Sequence, residues 1–184
     1  MSKKISFNLS MASIRAAQQE IQKYQQDLSR KCEILCRRLT EEGIRVAQAH
    51  IGGSGFGKYI RLASEMTPEQ AGCRAVLYME DISKIVSEWQ TLEGVKRATV
   101  SPVLMLEFGS GLQAENPANI PGVGTGTFPG QTHAENPGGW WYMDLDGVWH
   151  HSNGVSARMP MYFAGKEMRA KIVSIAREVF QNGG

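Results

Sequence analysis

At 184 residues the chain suits one well-buried domain and is too short for two to be expected. Its 42% hydrophobic and 21% charged content is that of an ordinary soluble globular protein, and a net charge of +2 is too small a surplus to mark nucleic acid as a dedicated partner. No apolar run reaches bilayer length, and ISFNLSMAS after Lys3 and Lys4 is too polar for a signal-peptide core, so the chain reads as cytoplasmic with no membrane partner.

From Ser10 to Glu42 the apolar positions Ile14, Ala17, Ile21, Tyr24 and Leu28 step by three and four, which predicts a long amphipathic helix docked on a sheet. The stripe then rotates through Cys32, Leu35, Cys36 and Leu39, and Gly43 is the expected C-cap, so residues 1–43 form the helical segment. Cys32 and Cys36, four apart on a helix, lie at a Cβ separation of ~5–6 Å. That is too wide for a disulfide, which needs ~3.5–4.5 Å. Three cysteines without a pairing framework fit a reducing compartment.

After Gly43 the period becomes twofold. Ile44 to Ile51, Tyr59 to Met66 and Cys73 to Tyr78 are expected as strands; Ile82 to Gln90 also fits a helical face through Ile82, Ile85, Val86 and Trp89, but its β-branched content favours a hairpin with Val95 to Val100 turning at Glu93-Gly94. Ser101-Pro102 supplies a cap and a first-turn proline for a short buried helix, VLMLEF, which ends the segment 44–108 at Glu107 and Phe108. A Gly- and Pro-rich loop follows from Gly109 to Gly139, with AENP at Ala114 and again at Ala134. Such a loop cannot bury enough apolar surface to order itself, so it either stays mobile or is held by a partner.

Order resumes at 140–151, where Asp146-Gly147 between WWYM and VWHH signals a two-residue hairpin turn. Alternation then puts Trp140, Tyr142 and Trp149 on one face and Trp141, Met143 and Val148 on the other. Two apolar faces need something besides water against at least one of them. Pro160 opens a C-terminal helix at 160–181, with Met161, Met168, Ile172, Ile175 and Val179 on one stripe.

Chemistry-bearing patterns are weak throughout. Gly52 to Lys58 matches GxxxxGK, but Tyr59 replaces the magnesium-binding hydroxyl and a strand pattern follows in place of a helix, so the segment is a connection and not a phosphate loop. The neighbouring histidines His150 and His151 point to opposite faces of a strand and do not share an ion. Glu107 reads as an ion-pair or capping group, and no cofactor or metal is expected.

The chain resembles the phage neck and tail-completion family, the head-to-tail joining or tail-terminator proteins of long-tailed phages and prophages. The residues that carry the resemblance are the N-terminal SIRAAQQEIQKYQQDLSRKCEILCRRLTEEGIRVAQ, LMLEFGSG at Leu104–Gly111, WWYMDLDGVWHHSNG, and SARMPMYFAGKEMRAKIVSIAREVF. The resemblance implies an α+β virion protein with no enzymatic activity, a small antiparallel sheet between a long N-terminal and a C-terminal helix. It implies assembly in the host cytoplasm into a homo-oligomeric, hexameric ring between the head connector or stopper protein and the tail tube protein, with DNA only as passing cargo. The expected assembly motif is Glu107, Phe108, Gly109, Gly111, Trp140, Trp141, Trp149 and Pro160. The competing expectation is a carbohydrate-binding or hydrolytic module that uses the aromatic hairpin.

Overall fold

A computed structural model describes residues 10–69, 72–111 and 138–181. The fold is α+β: three helices and small antiparallel sheets, with a long helix at the N-terminal end and another at the C-terminal end. In chain order these are α1 (Met11–Ile51), β1 (Ile60–Glu69), β2 (Gly72–Asp81), β3 (Ile85–Thr91), β4 (Gly94–Val100), α2 (Pro102–Phe108), β5 (Ser110–Gly111), β6 (Trp140–Met143), β7 (Trp149–Ser152), β8 (Gly154–Val155) and α3 (Pro160–Gln181). The AENP copies and most of the loop expected at Gly109–Gly139 lie outside the described residues.

The helix α1 runs through Gly43 to Ile51, so the strand expected at Ile44–Ile51 is the last part of a helix. The alternation of Ile44 and Val46 is a coincidence of composition; burial at Gly43 and Ala47, with His50 and Ile51 partly covered, follows the helical period. Gly43 is therefore no C-cap. A Cβ there would lie 2.8 Å from both Leu77 Cδ2 and Met168 Sδ, so the residue lets the helix pass close to its neighbours.

The chain divides into two compact units. One contains α1 through Thr40, Glu65–Val76 and the chain from Lys171. Within it the Cys36 thiol donates to the Cys73 carbonyl at 3.3 Å, and Arg38 pairs with Glu178 at 2.6 Å. Ala17 of the expected α1 stripe is buried, but Ile21, Tyr24 and Leu28 are exposed, so this face is not docked on a sheet in the described residues. The α3 stripe is also narrower than its sequence suggests. Ala164, Ile175 and Val179 are buried, whereas Ile172 stands in solvent.

The other unit, Glu41–Ser64 with Leu77–Ala170, holds the main core of Tyr59, Ile60, Ile85, Val100, Met105, Leu106 and Trp140. Its four-stranded sheet has the order β4-β3-β6-β7. The β3–β4 hairpin forms as its sequence predicts, with Thr91 opposite Gly94 and Ile85 opposite Val100. Ile85, Ser87, Val100 and Trp140 lie on the face that meets the core. α2 is held at its start by two side chains: Ser101 Oγ accepts from the Leu104 amide at 3.2 Å and Asp81 Oδ1 from the Val103 amide at 2.9 Å.

Candidate assembly interface

The expected assembly residues fall into two groups with different roles. Glu107, Phe108, Gly109, Gly111, Trp140 and Pro160 build the junction between α2 and α3, whereas Trp141 and Trp149 stand on an open sheet face.

At the junction, Glu107 at the end of α2 caps a different helix. Its carboxylate accepts from the Met161 and Tyr162 amides, each at 2.9 Å, and so satisfies two first-turn donors of α3 directly after Pro160. Burial raises its pKa above the ordinary glutamate value, and those two amides pull it part of the way back. The backbone closes the same joint: Arg158 and Met159 amides donate to the Leu106 carbonyl at 2.9 and 3.3 Å. Phe108 packs against the core beside them. Gly109 ends α2 at φ 74°, a conformation costly for any residue with a Cβ. The β5–β8 pair follows, with Gly111 opposite Gly154; a Cβ on Gly111 would meet the buried Trp140 ring at 3.2 Å.

Two residues with no sequence signal complete the junction. His50 Nδ1 lies 2.7 Å from the Arg158 carbonyl and its ring stacks on Phe163 at 4.5 Å. The Arg158 guanidinium donates to the Gly52 and Gly53 carbonyls at 2.8 and 3.2 Å, a basic cap on the C-terminal end of α1. Neither role is legible until α1 is known to reach Ile51.

The aromatic hairpin differs from expectation in its turn. The Asp144 amide donates to the Val148 carbonyl, which leaves Leu145-Asp146-Gly147 as a three-residue loop with Gly147 at φ 79°. The extra residue shifts register by one. Met143 therefore faces Trp149, and Trp149 joins Trp141 and Met143, not Trp140 and Tyr142. Trp140 is 1% exposed and belongs to the core, while Trp141 and Trp149 are 49% and 38% exposed.

Across the sheet, the pairings align Arg97, Glu88, Trp141 and His151 in one row and Thr99, Val86, Met143 and Trp149 in the next. This outer face thus carries two half-exposed tryptophans beside the Arg97–Glu88 ion pair of 2.6 Å. Trp141 meets His151 edge-on at 5.1 Å, which orients the ring without covering it.

His150 lies on the other face, stacked against Tyr142 at 5.3 Å, with Nε2 2.9 Å from Asp144 Oδ2. Asp144 Oδ1 also accepts from the Asp146 and Val148 amides. The imidazole first, and then these amides, hold the Asp144 pKa below the usual carboxylate value. A cavity of about 210 Å³ opens here, walled by Ser54, Phe56, Lys58, Tyr142, Asp144 and His150. The Ser54 hydroxyl is engaged as acceptor for the Phe56 amide at 3.1 Å. Lys58 lies in a single 3-10 turn, Gly57–Tyr59, that runs straight into β1, so the GxxxxGK segment lacks the α-helix N-terminus that a phosphate loop uses. Among the described residues no three His, Cys, Asp or Glu side chains are grouped to hold a metal, and no helix is long and apolar enough to cross a membrane.

No protein-family model, curated protein or solved structure matches this chain.

Proposed function

We propose that the protein is a structural subunit of the phage neck or tail end, which assembles into a homo-oligomeric, hexameric ring that completes the tail and joins it to the head connector or stopper protein. The observation that carries this reading is the outer sheet face, where Trp141 and Trp149 present a wide aromatic surface to solvent. Aromatic side chains concentrated on one rigid surface are characteristic of protein contacts. The surface rests on a sheet whose opposite face is the core, so it is pre-shaped and needs little ordering on association. The α2–α3 junction braces that sheet from behind: Met105 and Leu106 pack in its core and Glu107 fixes the start of α3. In this reading the tail tube protein and the connector are the axial partners, DNA is passing cargo, and no turnover is involved.

The test is assembly. Wild-type protein should form rings visible by negative-stain microscopy, with a solution mass that is a multiple of the 20.3 kDa subunit. Trp141→Ser with Trp149→Ser should reduce ring formation by light scattering while helicity is retained. Unchanged ring formation in the double variant removes the sheet face from the assembly. A monomer whose stability rises with added oligosaccharide would favour the carbohydrate-binding alternative instead.

A further inference from the structure

A ring needs two unlike patches on each subunit, because a patch that binds only its own copy closes at a dimer. Resting on the ring reading, we infer that the two patches are the opposite edges of one sheet, with β7 of one copy pairing along β4 of the next.

The four-stranded order β4-β3-β6-β7 ends on β4 and β7, and among the described residues β4 pairs with β3 alone and β7 with β6 alone. An edge strand presents a row of backbone donors and acceptors ready to pair with another chain. Neither edge carries a proline to blunt it. The outer face is ready to continue across such a joint. On β7 it offers half-exposed Trp149, and on β4 exposed Val95, Arg97 and Thr99, so the joint brings an aromatic ring beside a valine and a guanidinium.

Charge disfavours the pairing of two β4 edges. On β4, Lys96 pairs with Glu93 at 2.7 Å and Arg97 with Glu88 at 2.6 Å, while Trp140–Ser152 holds Asp144 and Asp146 at its turn and no lysine or arginine. Two β4 edges would set Lys96 and Arg97 against their own copies, an arrangement that disfavours like pairing. The β7 strand, WHHS, carries no lysine, arginine, aspartate or glutamate, so pairing it with the β4 edge avoids that repulsion. Strand addition also explains how a four-residue strand can serve as an interface: main-chain bonds supply the register and Trp149 supplies buried area.

The experiment uses the full chain. Val95→Lys with Thr99→Lys blocks the β4 edge, and Trp149→Lys blocks the β7 edge; all three side chains lie on the outer face, so lysine stays solvated in the free subunit. Each variant alone should be monomeric, and a one-to-one mixture should double in mass to a dimer and stop there, because it retains one intact edge of each kind. A dimer of the β4-blocked variant by itself would show that β7 pairs with β7, and rings from either variant would show that the edges are not the contact; both results overturn the inference. Should a variant lose its helicity, hydrogen exchange on wild-type protein decides the matter. Amides of residues 95–99 and 149–152 should gain protection on ring formation, and rings that form with exchange unchanged there overturn the edge pairing alone. Wild-type protein that stays monomeric at every concentration overturns the ring reading and the pairing with it.

Discussion

Glu107 is held between two opposing demands. Burial favours the protonated carboxyl, whereas the Met161 and Tyr162 amides favour the carboxylate, and burial prevails because its pKa is raised. An acid whose folded pKa lies above its unfolded value contributes most below the unfolded value, and that contribution fades as pH rises through the folded one. The stability margin of wild type over Glu107→Gln should therefore be largest in acid and shrink as pH climbs through the carboxylate range. The variant should lose about 1 kcal/mol, the usual scale for a lost cap. Urea titrations from pH 4 to 8 check both, and a margin that widens with pH would contradict the assignment. At Gly43 the demand is steric. Gly43→Val must push aside Leu77 and Met168, so a loss of about 1–3 kcal/mol is expected in thermal unfolding, despite the poor helix propensity of glycine.

At the scale of elements, the hairpin turn decides which residues reach solvent. Asp144 holds the three-residue loop open by accepting from Asp146, Val148 and His150. Its lowered pKa means that its contribution is present above the ordinary aspartate value and lost as pH falls through the lowered one. Asp144→Ala should loosen β6 and β7 together, seen as faster amide exchange at 148–152, while α1 and α3 keep theirs. On α1, burial first and then the neighbouring Cys73 push the Cys36 thiol up to about 11. Alkylation at pH 8 followed by peptide mapping should find Cys36 the slowest of the three cysteines, since only the thiolate reacts. Equal rates would mean that the Cys36–Cys73 contact is not maintained in solution.

For the whole molecule, the expected outcome is a closed ring whose formation depends on the outer face of the four-stranded sheet, checked by the tryptophan double variant and the edge-blocked mixtures. The two groups of candidate residues predict different failures. Loss of Trp141 and Trp149 should leave a folded subunit that does not assemble, because both rings stand half in solvent. Loss of Glu107 or Trp140 should lower subunit stability first, because each joins elements within the core.

What the amino-acid order determined alone is whatever depends on near neighbours. The 3–4 spacing of Ile14 to Leu28, the Ser101-Pro102 start of α2, the Pro160 start of α3 and the Glu93-Gly94 hairpin are local choices of backbone and cap, and each is present in the fold. Glu107 was legible as an ion-pair or capping group, but not as the cap of α3, because its partners are 54 and 55 residues away. Only tertiary structure decided that Gly43 is a point of close passage and not a helix end, since the reason is the side chains of Leu77 and Met168. The same holds for Trp149. One additional residue in the turn moved it from the core side to the outer face, and a shift of one residue in a strand of period two reverses every side chain beyond it.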